Sequence, residues 1–414
     1  MTLNFKKPHV IKATYRIVTP MFIGDAEQKA SGISPASVKG ALRFWWRALM
    51  WGTYWKEKHG DEVAALKALH EAEARLFGSS MDEKKEKSGQ GCFLLSVEQH
   101  THPRTTDKNS VHKEFKDCKT ARYLAYGLMG AFGANAGKLD RGCIDENQLF
   151  TVKLAFRGEP DSTVIDALKA LGLLGGLGSR SRHGMGSVAL EQIIYKKDNA
   201  DEVEIFHTPM NPSDYQKAVQ ALFSNSHAAP FPPPFTAFSS ASRVEEVLVK
   251  DKLPYDVLDK FAEKMLVYRS WGRGGDLNGG LKSDKNFQDD HDWYRDRYAE
   301  LPEDFHPRRV VFGLPHNYHK ETHHVIPEQD SDSTGEGRRA SPLLFHVHRI
   351  HDSSYIGVAI YLPATFLPDN KRIIANRHSV PQNIEWSVIT EFLDGKGTKK
   401  YFSNKIVIVS GDRS

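Results

Sequence analysis

The residues best equipped for chemistry are gathered in GGLGSRSRHGMGSV, residues 175–188. It holds Gly175, Gly176, Gly178, Gly184 and Gly186, with Arg180, Arg182 and His183 between them, and no acid occurs before Glu191. Glycine at this density admits positive φ and close backbone approach. Free N–H groups in such loops form concavities that suit anions, and arginine grips phosphate with a planar fork. The alternative is a flexible linker with scattered charge. A P-loop would need a lysine followed by Ser or Thr and a strand leading into a helix. A dinucleotide fingerprint would need a third glycine where Ser181 stands. A phosphodiester backbone is the ligand this pattern favours.

A second set lies in SVKGALRFWWRAL. Lys39, Arg43 and Arg47 recur every four residues and fall on one stripe of a helix, with Trp46 and Met50 in the same stripe. Val38, Leu42, Trp45 and Leu49 fall on another arc, the natural core face. Phe44, Trp51 and Trp55 read as core or interface residues. Cations beside a ring suit single-stranded nucleic acid, the cations taking phosphates and the ring a base. The alternative is a solvated charged face with Trp46 tucked against a neighbouring strand.

Other chemistry is sparse. His183 is the histidine placed to act as a general base on RNA. His319 and His323 have i, i+4 spacing without the glutamate of an HExxH site. His346 and His348 alternate along a strand, with His351 after it, and no Cys pair or carboxylate set accompanies them. No metal site and no cofactor are expected. Cys92, Cys118 and Cys143 form no CxxC and read as reduced thiols.

Elements that would position these residues alternate along the chain. Strands are expected at 10–18, 92–97, 149–156 and 188–195. Helices are expected at 35–58, entered through Ser34-Pro35, at 61–77, closed by Gly78, and at 164–174. The order β-α-β-β-α-β is a split βαβ, ferredoxin-like pattern, with helices on one face of a four-stranded antiparallel sheet. Residues 100–120 read as an exposed polar insertion. The prolines at 230 and 232–234 mark a linker. Beyond it, extended structure at 235–250, a helix at 254–270, a strand pair at 342–350 and 355–362, a helix at 384–393 and a strand at 405–409 suggest a decorated second copy. The predicted fold class is therefore α+β: a ferredoxin-like domain over 1–200, a linker region over 201–234 and a second domain over 235–414. Residues 319–339 read as a long mobile loop.

With 414 residues, 40% hydrophobic and 26% charged, the chain is ordinary for a globular protein, and its net charge of +4 permits nucleic acid without demanding it. It shows no apolar signal core and no run of membrane-spanning length, so a cytoplasmic, soluble protein with no membrane partner is expected.

TPMFIGDA at 19–26, SPASVKGALRFWWRAL at 34–49 and the glycine loop together resemble the RAMP superfamily of CRISPR-associated proteins. FWWRAL beside VKGALR is similar to the family of the first RAMP subunit of the type III-B, or Cmr, effector complex. FGLP at 312–315 and RRASPLLFHVHR at 338–349 resemble it too. The resemblance implies two tandem ferredoxin-like (RRM-like) RAMP domains. It implies a non-catalytic RNA-binding subunit near the 3′ end of the CRISPR RNA, with guide and target RNA and other Cmr subunits as partners in antiviral defence. The RNA-binding set it suggests is Lys39, Arg43, Trp46, Arg47, Gly176, Gly178, Arg180, Arg182, His183, Arg338 and Arg339. A metal-independent endoribonuclease that matures CRISPR RNA is the alternative, with His183 as base. A mainly structural subunit is a third reading. Residues 100–120 and 319–339 match no motif.

Overall fold

The structure is a computed structural model. It describes residues 8–411 except 26, 80–88, 132, 198–199, 225–226, 272–274, 278–279, 298–299, 301, 303–304, 319–323, 330–336, 352–353 and 376–377. His319, His323 and most of the 319–339 stretch thus lie outside the described residues.

The first half runs β1 (His9–Ile17), α1 (Pro35–Glu57), α2 (Glu62–Phe77), β2 (Phe93–Gln99), β3 (Leu149–Phe156), α3 (Ser162–Leu174), β4 (Val188–Lys196), β5 (Glu202–His207) and α4 (Pro212–Ala221). Local signals set the helix starts. The Ser34 side chain accepts from the Ser37 N–H with Pro35 in the first turn, and Asp61 accepts from the Ala64 N–H. The strands form one antiparallel sheet in the order β2-β3-β1-β4-β5. In it, Tyr15 of β1 lies opposite Phe150 of β3, and a bulge follows Thr14 where β1 meets β4.

The second half carries β6 (Arg243–Asp251), α5 (Pro254–Arg269), β7 (Leu343–Arg349), β8 (Tyr355–Tyr361), α6 (Ser387–Asp394) and β9 (Ile406–Ser410). Its main sheet is also antiparallel, in the order β7-β8-β6-β9. Taken by rank along the chain, this is the order of the first four strands of the first half. A small sheet of four short strands, the first at His316–Asn317 and the last at His378–Val380, sits within the second half. The α+β class with antiparallel sheets is as the sequence predicts.

Two expectations need correction. The region 201–234 is more than a linker: β5 is a fifth strand of the first sheet, and α4 buries Tyr215 and Val219. The Tyr215 hydroxyl donates to the Leu173 carbonyl at 2.7 Å, fixing α4 on α3. The prolines that suggested a linker punctuate the chain only after these elements. Residues 100–120 are also only partly exposed. They contain a strand pairing Thr105–Thr106 with Cys143–Ile144 and a short helix, Lys113–Asp117, whose Phe115 is fully buried edge-on to Tyr255 of α5.

The halves do not have separate cores. One buried apolar cluster extends from Ile11 and Trp45 to Val358 and Ile408, and another joins Val18, Phe22 and Met185 to Phe261, Phe345 and Phe392. Burial of apolar area at about 25 cal/mol per Å² therefore holds the two sheets to each other as well as to their own helices. Among the described residues no helix is long and apolar enough to cross a membrane.

Candidate nucleic-acid interface

The glycine loop stands where the two halves meet. Gly176 bridges to Ser187, and a Cβ at Gly176 would lie 2.7 Å from the Gly186 carbonyl oxygen. Gly178 has φ +87°, and a Cβ there would lie 2.6 Å from the Phe22 carbonyl oxygen. These glycines permit chain-on-chain packing. The N–H groups of Leu177, Ser179, His183, Gly184, Met185 and Gly186 all donate to backbone carbonyls. The expected nest of free N–H donors is therefore largely used up by the loop's own folding, in which Gly176 and Gly178 permit the close packing.

Hydrogen bonds from both sides brace the loop. Thr19 Oγ1 donates to the Gly184 carbonyl at 2.6 Å and accepts from the Ser187 N–H at 2.9 Å. On the other side, the N–H of Phe345 donates to the Arg182 carbonyl at 2.9 Å, and that of Val347 to Ser187 Oγ at 3.2 Å. The arginines project from this brace. Arg180, exposed and held at φ +59°, donates from Nε to the Tyr126 carbonyl at 2.9 Å. Arg182 donates from Nη1 to the Ser341 carbonyl at 3.0 Å, its guanidinium 5.2 Å from the Phe44 ring centre. Arg339 lies 5.6 Å from the Phe366 ring centre, and its buried Nε has no hydrogen-bond partner. Arg338 is exposed.

Among the described residues, Arg180, Arg182, Arg338, Arg339 and Arg269 at the end of α5 form no ion pair. Burial, and then Arg339, lower the Arg182 pKa to about 10. Arg180 is lowered by burial and then by Arg269 and Arg338. Like charges that lie close together raise the local positive potential.

His183 does not suit the role of base. Its Nδ1 sits 3.2 Å from the Leu124 carbonyl, and burial, followed by Arg180 and Arg269, pushes its pKa to about 4. A group so weakly basic takes a proton poorly near neutral pH.

The stripe on α1 also differs from expectation. Arg43 Nε and Arg47 Nη1 both donate to Oε1 of Glu73 on α2, at 2.6 and 2.9 Å, and Glu73 is buried. Trp46 is 1% exposed, packs edge-on to Phe77 and donates from Nε1 to Thr163 Oγ1 at 2.8 Å. The amphipathic reading assumed one covered face, but α1 is covered by the sheet on one side and by α2 and α3 on others. Trp46 is thus a core residue and cannot stack a base. Met50 packs against the core, Trp51 is buried, and Lys39 is half-buried beside Arg43 in a hollow of about 510 Å³.

Arg47, Arg182 and Arg339 converge on a groove of about 760 Å³ whose rings are Phe44, Phe235 and Phe366. Glu62, Glu73 and Asp369 also line it. Cations interleaved with rings are what a single strand needs. The sequence reading missed Arg269, Phe235 and Phe366 as neighbours of the loop. Arg269, in the last turn of α5, has the composition of an ordinary helix-end cation, and nothing local points it at residue 180.

The comparisons bear on this geometry. Residues 14–189 match the RAMP superfamily. The chain is 25% identical over 367 residues, 86% of each chain, to CRISPR system Cmr subunit Cmr1-1 of Pyrococcus furiosus. Its match to Cmr1-2 of that organism, at 37% identity, spans 68 residues, only 16% of this chain and 32% of that protein. The crystal structure of Cmr1 from Pyrococcus furiosus shares the fold, with TM-score 0.52 and 20% identity over 97% of this chain and 99% of that one. A chain in the cryo-EM structure of type III-B Cmr-beta bound to cognate target RNA also gives TM-score 0.52, at 12% identity over 94% and 99%. Residues 14–189 thus resemble the RAMP superfamily, and over most of its length the chain is similar to a Cmr1 subunit of a CRISPR system.

Proposed function

We propose that this chain is a non-catalytic RNA-binding subunit of a type III-B CRISPR effector complex. In this reading it caps the assembly near the 3′ end of the CRISPR RNA, works in the cytoplasm in antiviral defence, and contacts guide and target RNA and other Cmr subunits. Each half is a ferredoxin-like unit, a reading supported by the shared strand order. The observation that carries the proposal is the arginine set around the glycine loop, which has no ion-pair partner among the described residues and of which Arg182 and Arg339 open onto a groove lined with rings. The RNA-bound state of the Cmr-beta assembly supports the choice of ligand. Arg180, Arg182, Arg338 and Arg339 take phosphates, and the half-buried rings Phe44 and Phe235 flank bases.

The test is an anisotropy titration of labelled single-stranded RNA at several salt concentrations. Affinity should fall with salt at a slope of about −0.7 per neutralised phosphate, and Arg180→Ala with Arg182→Ala should reduce that slope by about one to two units. The loss should be similar for unrelated sequences, because phosphate contacts carry no sequence information. Lysine at both positions should restore only part of the affinity. An unchanged slope in a folded double variant would overturn the assignment. RNA cleavage by the full chain that is abolished in His183→Ala would overturn its non-catalytic part.

A further inference from the structure

The insertion at 100–120 carries chemistry that RNA binding does not use. Cys143 and Asp145 stand two apart on an extended segment, so their side chains leave the same face. His112, which enters from the start of the short helix Lys113–Asp117, meets them there. One ligand atom from each of the three lies within 4.8 Å of the others. Cys143 is fully buried and His112 is 6% exposed. The His112 backbone is pinned, its N–H donating to the Gly137 carbonyl and its carbonyl accepting from Lys116. Its ring lies between Phe115 and Tyr255, at 5.0 and 5.9 Å between centres. Yet its buried Nδ1 has no hydrogen-bond partner, and its side chain makes no cap bond. A buried imidazole nitrogen left without a partner is costly unless something occupies it.

We infer that His112, Cys143 and Asp145 form a binding site for a divalent transition-metal ion, with zinc as the best-matched cation. Imidazole, thiolate and carboxylate together suit borderline-soft zinc rather than magnesium or calcium, which take oxygen ligands. Tetrahedral zinc with ordinary bond lengths would set the ligand atoms roughly 3.3–3.8 Å apart, so the group need close by only about 1 Å. Thr106 Oγ1 donates to Asp145 Oδ1 at 2.8 Å and orients that carboxylate, as outer-sphere partners of metal ligands do. Glu146, whose Oε2 accepts from the Tyr255 hydroxyl at 2.8 Å, adds a second negative charge nearby. Three protein ligands leave a fourth position for water.

Cys143 is a free, buried thiol and would bind the cation as its thiolate. Binding forms a metal–sulfur bond and breaks the S–H bond, and the proton passes to solvent. The ion would clasp the start of the short helix to the segment Cys143–Asp145, beside Tyr255 of α5. The ligands are remote in sequence, which is why their spacing predicts no metal site.

The experiment takes the full chain, stripped with a chelator, and titrates it with Zn²⁺ against a chromophoric competitor. About one Zn²⁺ per chain should bind, with proton release in weak buffer and a raised melting temperature. Co²⁺ in its place should give a sulfur-to-metal charge-transfer absorption that is lost in Cys143→Ser and retained in Cys92→Ser and Cys118→Ser. His112→Gln leaves the strand pair intact and should weaken Zn²⁺ by at least about tenfold. Failure of the stripped parent to bind Zn²⁺ would overturn the inference. So would an absorption that survives Cys143→Ser, or equal Zn²⁺ affinity in folded His112→Gln.

Discussion

Two basic regions of this molecule look alike in composition and differ in physics. The stripe on α1 spends Arg43 and Arg47 on one buried carboxylate, Glu73, thirty residues along the chain from Arg43. The glycine-loop arginines meet carbonyl oxygens and rings instead, with no carboxylate among the described residues at ion-pair distance. Carbonyls orient a guanidinium without cancelling its charge, whereas a carboxylate cancels it. Charge available to a ligand therefore depends on what the fold places opposite each cation.

The comparison can be broken most severely at the tryptophans. If the α1 stripe is internal, Trp46→Ala and Trp45→Ala should each lower stability by about 3–5 kcal/mol in chemical unfolding, the usual cost of emptying a large buried site. Retention of the parent's stability by Trp46→Ala, with loss of RNA affinity alone, would return that residue to the ligand face.

The next effect concerns pH. His183, within the uncancelled cluster, has its folded-state pKa depressed to about 4 from an ordinary value near 6.5. Between these values the unfolded chain binds more protons than the folded one. Stability is therefore full above pH 6.5 and falls as pH drops toward 4, by up to about 1.4 kcal/mol per pH unit for this group. Buried His346, depressed to about 3, acts in the same direction. Unfolding midpoints between pH 7 and 5 should show the decline, and His183→Asn should flatten it. An equally steep decline in the variant would remove His183 from the account.

Glu73→Gln sharpens the contrast directly. It should cost about 1–2 kcal/mol, less than a fully buried pair because Arg43 and Arg47 are about one-third exposed. It should also release Arg47 at the groove and Arg43 at the neighbouring hollow, and strengthen nonspecific RNA binding at low salt. Unchanged binding would mean that RNA does not pass α1. The smallest effect is expected for Lys39→Ala, half-buried and without an ion pair among the described residues: within about 0.5 kcal/mol in stability, and less than about one unit in salt slope.

Much of the fold was legible because its signals are local. Ser34-Pro35 and Asp61 start helices by capping bonds that need only the next few residues. The β-branched and aromatic runs at 149–156 and 355–361 mark strands by composition alone. The site was legible only in part. The clustering of Arg180 and Arg182 among glycines could be read directly, but the service of those glycines to packing could not, since Phe22 is remote in sequence. The same holds for Trp46, whose neighbours Phe77 and Thr163 come from two other helices, and for α4, whose burial depends on Leu173. Periodicity states which face of a helix is apolar; it does not state how many other elements will cover that helix.

The bracing of the glycine loop has a consequence for the order of assembly. Thr19 lies 168 residues before Ser187, and Val347 lies 160 after it. Contacts of such separation form late, because long loops must close before they contribute. During synthesis the arginines emerge well before β7, so the first half leaves the ribosome with its grip unset. Only a chain extended through Val347 fixes Arg182 against Ser341. If the arginines hold RNA as proposed, that competence requires both halves to have been made and joined.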